Sequence, residues 1–306
     1  NGMIFVRGHR ADFDSWEAEG NTGWGYDDVL KTYKKLENYG GGADDYRGVD
    51  GPVDVIENPD ITDAAKMFVD AGQAALGTTQ SADYNGAQQE GMHVIQESTS
   101  KGLRYSSSRA YIHSRARQNL FVQTGATVAR VVVEGARATG VEVLDGAGRR
   151  TLRAAREVIV SAGAFGSPQI LQLSGIGPSD LLSGLGISVH ADLPVGDNMH
   201  DHLFVPTNWH VTTSPHKGNA LYFGKGLLKE TFRDKGHTFM AHSVFEAGAF
   251  LRTSLATDGL PDMQLLGIPW AYPAPNQDAP VRLTPDQRPT WAVFSTLIQP
   301  RSRGTV

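Results

Sequence analysis

Two stretches of the sequence hold residues whose types and spacing could do chemistry, and the first has the pattern of a nucleotide-binding turn. A β-branched run from Val158 to Val160 leads to glycines at Gly163 and Gly166 and then to a helix-forming segment. The pattern predicts a buried strand, a tight glycine turn, and a helix that Ser167 caps and Gly175 ends. Such a turn can bring bare backbone N–H groups up to a nucleotide cofactor, although an ordinary strand–helix connection has the same pattern.

The second stretch, Val195 to Leu203, contains two histidines in H-x-H spacing. His200 and His202 would face the same way on a strand, and Asp197 and Asp201 lie beside them. Imidazole and carboxylate groups in this arrangement could bind a metal ion. No third or fourth ligand cluster stands out elsewhere in the sequence, so we predict that the protein holds no metal.

Length, charge and composition limit the classes of protein to which the chain can belong. Its 306 residues, of which 40% are hydrophobic and 20% charged, suit a globular protein of about two domains. The formal net charge of −5 leaves no large basic surface, so we predict no nucleic-acid partner. The absence of cysteine excludes disulfides and thiolate metal ligands. The sequence has no apolar run of about 18 residues, so we predict no membrane span.

Local patterns predict the elements that must position these stretches. An extended segment is predicted over residues 1–10, helices over 26–39, 63–76, 106–117 and 180–185, and a strand over 53–56. Further strands are predicted over 120–123, 128–134, 140–144, 151–154 and 157–161. From residue 204 onward, tryptophans, prolines and short alternating runs such as 290–299 predict an antiparallel sheet with long loops.

Several segments together resemble one known family. Gly163 to Gly177 resembles one of the two sequence patterns of the glucose–methanol–choline (GMC) flavin oxidoreductases, and Asn1 to Trp16 resembles the second half of the other. Val195 to Leu203 is similar to the family's V-G-x-N-x-x-D-H segment. Asp83 to Gly91, followed by Gly102 to Tyr111, is also similar to the family. The matches follow the family's order over about two-thirds of the chain, and the closest overall likeness is to its choline dehydrogenase-like members.

The resemblance implies a fold class and a division into domains. The expected fold is α/β (α+β), with an FAD-binding dinucleotide fold of the GMC type and a second, mainly antiparallel-sheet substrate domain. We expect residues 1–45 and 101–204 to be parts of the FAD-binding domain. Residues 46–100 are expected to form a cap on the substrate side, and residues 205–306 part of the substrate-binding domain.

The resemblance also implies a set of FAD-binding residues. The residues around Asn1 are expected to lie against the flavin ring, and the backbone of Val128 to meet the adenine ring. The expected cofactor contacts are Asn1, Gly2, Met3, Ile4, Val128, Ala162, Gly163, Asp197, Asn198 and His202. We predict no catalytic residue within the chain, because the family's catalytic histidine pair is expected beyond Val306.

The family's dinucleotide-binding motif is missing from the sequence. No G-x-G-x-x-G motif is present, since Gly175-Ile-Gly177 lacks the third glycine and follows a helix. In the family this motif lies upstream of the segment that Asn1 begins. We therefore expect the chain to be an internal piece of an enzyme, inactive alone and folding with the rest of the polypeptide or with complementary chains.

The leading functional hypothesis is FAD-dependent oxidation of a primary alcohol to an aldehyde, with hydride transfer to flavin N5. One alternative is an FAD-containing lyase of the hydroxynitrile lyase type on the same fold, and another is a flavin-free binding module.

A quaternary ammonium substrate would need an aromatic cage or a carboxylate, and a hydrophobic substrate wall would use the same residues. The candidates for either are Trp209, Glu246, Trp270, Tyr272 and Trp291. We expect a soluble protein of the bacterial cytoplasm or periplasm.

Overall fold

A computed structural model describes residues 2–114, 117–212, 220–233, 239–256, 258–272, 286 and 288–306. Its helices are α1 (Arg10–Ala18), α2 (Tyr26–Leu36), α3 (Asp63–Leu76), α4 (Gly163–Leu173), α5 (Ser179–Gly184) and α6 (Ala220–Phe232). Its strands in the first third of the chain are β1 (Glu37–Tyr39), β2 (Val53–Glu57), β3 (Gly91–Val94), β4 (Gln96–Glu97), β5 (Thr99–Ser100) and β6 (Leu103–Arg104). The later strands are β7 (Thr127–Glu134), β8 (Arg137–Asp145), β9 (Gly148–Arg153), β10 (Ile176–Gly177), β11 (Ala191–Asp192), β12 (Leu203–His210), β13 (Ala247–Leu251), β14 (Met263–Ile268) and β15 (Thr290–Leu297).

The chain divides into two units, and each is described by itself. The first unit comprises Asn1–Ala116 and His202–Gln299, and the second comprises Arg117–Asp201 and Pro300–Val306. The division into cofactor and substrate domains that the family resemblance implies stays a prediction.

The first unit is built on a five-stranded antiparallel sheet with the order β12-β15-β14-β13-β3. Helix α3 packs its alanine-rich face, centred on Ala65 and Val69, against Met92, Trp291 and Val293 of the sheet. The small side chains allow the helix to lie close to the strands and bury the large ones. The antiparallel sheet predicted for the later part of the chain is confirmed, but strand β3 comes from a much earlier segment.

Helix boundaries were predictable where caps mark them. Helix α3 spans the predicted residues, because Thr62 accepts a hydrogen bond from the backbone N–H of Ala65, and Gly77 adopts a left-handed conformation at φ +62°. Helix α2 ends three residues before the predicted end. Its expected last turn is instead strand β1, which pairs in parallel with β2, so that tertiary pairing overrides the helical pattern.

The predicted helix over residues 106–117 was wrong in length. The helical part spans residues 107–113, and within it Arg109–His113 form a π-helical turn in which the N–H of Ser114 bonds to the carbonyl of Arg109. The Ser114 hydroxyl also donates to the carbonyl of Ala110, so it takes a backbone acceptor that a longer α-helix would need. Residues 115–116 lie outside the described part of the chain.

The second unit contains the three-stranded antiparallel sheet β7-β8-β9, which confirms three of the predicted strands. Two further predictions were wrong, because residues 120–123 and 157–161 form no strand. A strand needs a hydrogen-bonded neighbour, and neither segment has one among the described residues. Accordingly, Phe121 is 92% exposed and Ile159 is 78% exposed, although the sequence predicted a buried strand at the second position.

Candidate functional site

The opening segment of the chain, Gly2 to His9, is extended and is held by hydrogen bonds on one edge. The N–H of Phe5 donates to the carbonyl of Gln96 at 2.8 Å, and the N–H of Ser98 donates to the carbonyl of Met3 at 2.8 Å. The hydroxyl of Ser243 donates to the carbonyl of Gly2 at 2.6 Å. The carbonyls of residues 2 and 3 are therefore bound by the protein itself.

The N–H groups at the start of this segment have a different environment. Among the described residues, none accepts a hydrogen bond from the backbone N–H of Gly2, Met3 or Ile4. Met3 also has φ +68°, a left-handed conformation that costs a non-glycine residue about 1 kcal/mol or more. A β-carbon on Gly2 would lie 2.7 Å from a ring carbon of Phe245, so this position has no room for a side chain. The segment is thus a strained, bare backbone with donors available to a ligand.

The same segment borders two cavities of the first unit. The larger cavity has a volume of about 550 Å³, and Gly2, Ile4, Val6 and Gly8 line it at alternate positions, as an extended chain dictates. Its other walls include polar side chains from distant parts of the unit, namely Arg7, His9, Asp12, Gln89, His202, Gln264 and Gln299. The smaller cavity, about 160 Å³, is lined by Met3.

A buried ionic network fixes the far end of the segment. Arg7 and Arg47 both bind the carboxylate of Glu37, and Arg47 also binds Asp83 at 2.8 Å. The Arg47 guanidinium stacks over the ring of Tyr39 at 3.6 Å from the centroid. Because Arg7, Glu37 and Arg47 are at most 2% exposed, solvent does not screen these interactions. The network therefore joins the opening segment firmly to β1 and to the loop that follows it.

The smaller cavity combines aromatic rings with a buried carboxylate. Phe223 and Trp270 form part of its wall, and their ring centroids lie 5.9 Å apart in an edge-to-face arrangement. Glu246, which is 1% exposed, also lines it. The Glu246 carboxylate accepts hydrogen bonds from the N–H of Thr62 at 2.9 Å and from its hydroxyl at 2.6 Å. Since Thr62 is the N-cap of α3, the carboxylate lies at the end of a helix that favours negative charge.

A second buried carboxylate, Glu97, organises the other side of the smaller cavity. Its Oε1 lies 2.6 Å from Nδ1 of His242 and accepts the hydroxyl of Thr99 at 2.8 Å. Its Oε2 accepts the backbone N–H of Ser243, whose hydroxyl holds Gly2. Glu97 is fully buried, and His242 is 9% exposed and lines the cavity. Glu97 therefore orients a cavity-lining histidine and supports the opening segment at once.

In the second unit, the predicted glycine turn is present but its helix begins earlier than predicted. Helix α4 begins at Gly163, which has φ +86°, and Ser167 and Pro168 lie within it. Ser167 was predicted to be the N-cap. Its hydroxyl instead accepts the N–H of Ala162 at 2.9 Å and so closes the turn from inside the helix. No described atom lies within 4 Å of the point where a β-carbon on Gly163 would sit, so the turn leaves open space beside the backbone.

The loop over residues 195–200 is held by the chain's last residues. The N–H of Val306 donates to the carbonyl of Gly196 at 2.9 Å, and Met199 and Gly304 exchange two hydrogen bonds at 2.7 and 3.0 Å. Asn198 has φ +59°, so this loop has its own left-handed residue, as the opening segment does at Met3. Asparagine adopts this conformation more readily than methionine does, so the strain is greater at Met3.

The predicted cofactor residues are divided between the two units. Gly2, Ile4 and His202 line the larger cavity, and Met3 lines the smaller one. The second unit contains Val128, Ala162, Gly163, Asp197 and Asn198. Val128 pairs with Val143 next to a β-bulge on the edge strand β7. Asn1 lies outside the described residues, so its predicted flavin contact stays a prediction.

The two histidines of the H-x-H pair fall in different units. His200 belongs to the second unit and His202 to the first, and Nδ1 of His200 lies 3.0 Å from the carbonyl of Asn198. Among the residues that the structure describes, no group of three or more His, Cys, Asp or Glu side chains is placed to hold a metal ion.

Sequence reasoning found part of the smaller cavity and missed the rest. Glu246 and Trp270 were among the candidates for a substrate cage, and both line it. Trp291 instead lies in the core under α3, and Trp209 and Tyr272 are 48% and 43% exposed. The residues that were missed are Thr62, Glu97 and His242. Only Thr62 had a local signal, as the residue before a helix-forming segment.

Comparison with known proteins identifies the family. A profile described as GMC oxidoreductase matches residues 1–204, which is two-thirds of the chain. The chain belongs to the GMC oxidoreductase family. A GMC relative from Sinorhizobium medicae, the oxygen-dependent choline dehydrogenase, is 44% identical over 277 residues, covering 89% of this chain and 49% of the relative. The same enzyme of Rhizobium etli (strain ATCC 51251) is 40% identical over 281 residues, with the same coverage.

Solved structures share the fold of this GMC chain. Pyridoxine 4-oxidase from Mesorbium loti aligns with the whole chain at a TM-score of 0.79 and 26% identity, over 56% of its own length. The formate oxidase of Aspergillus oryzae aligns at a TM-score of 0.83 and 22% identity, over 59% of its length, and supports the α/β fold alone. The chain spans about half the length of the curated relatives it matches. Within the described part of the GMC chain, no helix has both the length and the apolar character needed to span a membrane.

Proposed function

We propose that this chain forms part of an FAD-dependent oxidoreductase that oxidises a primary alcohol to an aldehyde. The observation that supports this most directly is the opening segment, which presents unbonded N–H groups at the border of two cavities. The polar edge of a flavin carries nitrogen and oxygen acceptors, and such donors fit it. Bound FAD would supply the acceptor for the hydride of the alcohol, which carries both of the electrons that the alcohol loses.

We assign the flavin contacts to the residues that the family resemblance implies. In the first unit these are Gly2, Met3, Ile4 and His202, and the strained φ of Met3 supports a ligand-binding role for this segment. In the second unit, the turn at Ala162 and Gly163 and the loop at Asp197 and Asn198 would hold further parts of the cofactor. The backbone of Val128 is proposed to contact the adenine. These assignments are part of the proposal.

The smaller cavity is the proposed site for the polar end of the alcohol. Glu246 offers a negative charge, and Phe223 and Trp270 offer the aromatic faces that attract a cation. Thr62 holds the Glu246 carboxylate in place with two hydrogen bonds. The curated relatives are named choline dehydrogenases, and choline is a cationic primary alcohol. We therefore propose a cationic primary alcohol of the choline class as the substrate.

The experiment is anaerobic reduction of the purified full-length protein. The protein is expected to be yellow, and its flavin absorbance is expected to bleach when choline is added, with formation of the aldehyde. Butan-1-ol is the control, since it has a hydroxyl and a chain of similar length without the cation. A colourless full-length protein, or a flavin that stays oxidised with every alcohol supplied, would overturn the proposal.

A further inference from the structure

His242 is held in one orientation by the buried carboxylate of Glu97, which also accepts the backbone N–H of Ser243. Nδ1 of His242 lies 2.6 Å from Oε1 of Glu97, and Glu97 is fully buried. Ionised carboxylate oxygens only accept hydrogen bonds, so Nδ1 is the nitrogen that carries the proton. In the neutral ring, Nε2 then has a lone pair and no hydrogen.

The lone pair of Nε2 has no partner within the described protein. The only hydrogen bond of the His242 ring there is the one to Glu97, and the ring lines the smaller cavity. The neighbouring hydroxyl of Ser243 is already used, because it donates to Gly2 at 2.6 Å and accepts from the N–H of Phe245 at 3.1 Å. The cavity therefore presents Nε2 of His242 to a ligand as an acceptor, and the carboxylate of Glu246 lines the same cavity.

We propose that His242, positioned by Glu97, determines substrate specificity by selecting a cationic alcohol whose nitrogen carries a hydrogen. An ammonium N–H can donate to Nε2, whereas a quaternary ammonium has no hydrogen to donate and would cover the cavity-facing lone pair without bonding to it. A site built to bond a donor discriminates strongly against an analogue that lacks it. This inference rests on the proposed function and narrows its substrate class from cationic alcohols in general to amino alcohols with an N–H.

The test compares two alcohols that differ by a single methyl group. N,N-dimethylethanolamine, protonated at pH ~8, has one N–H where choline has a methyl group. We expect kcat/KM of the full-length holoenzyme to be at least about tenfold higher for dimethylethanolamine than for choline. In His242→Phe, which keeps a ring but removes the acceptor, the ratio should fall to about one.

Glu97→Gln tests the tautomer without removing the imidazole. The amide of glutamine can donate to Nδ1, which places the hydrogen on Nε2 and removes the acceptor. The ratio is therefore expected to fall in this variant as well. Glu90→Gln is the matched control, because Glu90 binds Arg252 away from the cavity, and this variant should keep the wild-type ratio.

A binding measurement separates this inference from the proposed function. Trimethylammonium has one N–H and tetramethylammonium has none, and neither can be oxidised as an alcohol. Calorimetry should show tighter binding of trimethylammonium, by at least about tenfold, in the wild type and in Glu90→Gln but not in His242→Phe. Three results would overturn the inference even if choline bleaches the flavin. They are equal affinities for the two ions in the wild type, no binding of either ion, and a preference that remains in His242→Phe. If no alcohol bleaches the flavin, the proposed function fails, but the affinities of the two ammonium ions still test whether His242 accepts a hydrogen bond from a ligand.

Discussion

Arg7 and Arg47 share one carboxylate oxygen, Oε1 of Glu37, at 2.6 and 3.0 Å from their guanidinium nitrogens. The same oxygen also accepts the N–H of Gly48 at 2.9 Å. The two arginines are balanced by Glu37 and Asp83, so the buried charges compensate one another. Because Arg7 belongs to the segment that borders both cavities, the stability of this network and the geometry of the site depend on each other.

Glu37→Gln is expected to lower the free energy of unfolding by about 3–5 kcal/mol, because it leaves two buried guanidinium groups short of a negative partner. Urea denaturation of the full-length protein measures the change. Asp27→Asn is the control, since its ion pair with Arg10 is exposed, and we expect a change of less than about 1 kcal/mol. Equal effects of the two substitutions would contradict a structural role for the network.

His93 is expected to make the protein less stable at acid pH. Burial between Tyr84 and Phe250 lowers the pKa of His93 from its ordinary value of 6.5 to about 4, and its Nε2 has no hydrogen-bond partner among the described residues. The unfolded chain therefore takes up a proton near pH 6.5, whereas the folded chain does so only near pH 4. As the pH is lowered from 6.5 to 4, the free energy of unfolding should therefore decrease, and this group should account for roughly 3 kcal/mol of the decrease.

The measurement is the free energy of unfolding between pH 7 and pH 4, compared between the wild type and His93→Gln. The variant should lose the part of the pH dependence that comes from this histidine. His190→Gln replaces an exposed histidine and should keep the wild-type slope. A slope that His93→Gln leaves unchanged would show that His93 is not the group that titrates.

Thr62→Val is expected to affect both folding and substrate binding. It removes the hydroxyl that binds Glu246 at 2.6 Å and caps α3 through the N–H of Ala65. We expect a loss of about 1–3 kcal/mol in stability and a higher KM for the cationic alcohol, with a smaller change in kcat. Thr62→Ser retains the hydroxyl and is the control. If the serine variant lost as much as the valine variant, the hydroxyl would not be the cause.

Gly2→Ala is expected to weaken FAD binding by at least about tenfold, because the added β-carbon would clash with Phe245 and displace the opening segment. Fluorescence titration of the apoprotein with FAD measures the affinity. Adding Phe245→Ala should restore part of the binding by making room for the methyl group. Gly184→Ala, whose β-carbon would have no described atom from outside its own helix within 4 Å, should bind FAD as the wild type does. Full binding by Gly2→Ala alone would contradict the proposed contact.

Much of the local structure was predictable because its causes are local. Helix α3 has its cap, its apolar face and its terminal glycine within a short stretch, and strands β7, β8 and β9 are separated by glycine turns. Segments whose state depends on a distant partner were predicted wrongly. Residues 37–39 continue a helical pattern but pair with β2, and residues 157–161 have a strand pattern without a paired neighbour.

The sequence alone determined the family, the fold class and the segments expected to meet FAD, because motifs, glycine positions and hydrophobic periods are properties of short stretches. The tertiary structure alone decided which charged and polar residues meet. Glu97 and His242 are 145 positions apart, and Arg7 and Glu37 are 30 apart, yet each pair is in hydrogen-bond contact. The pattern of hydrophobic and polar residues along the sequence does not predict such pairs, because buried polar groups meet their partners only when distant elements pack together and exclude water.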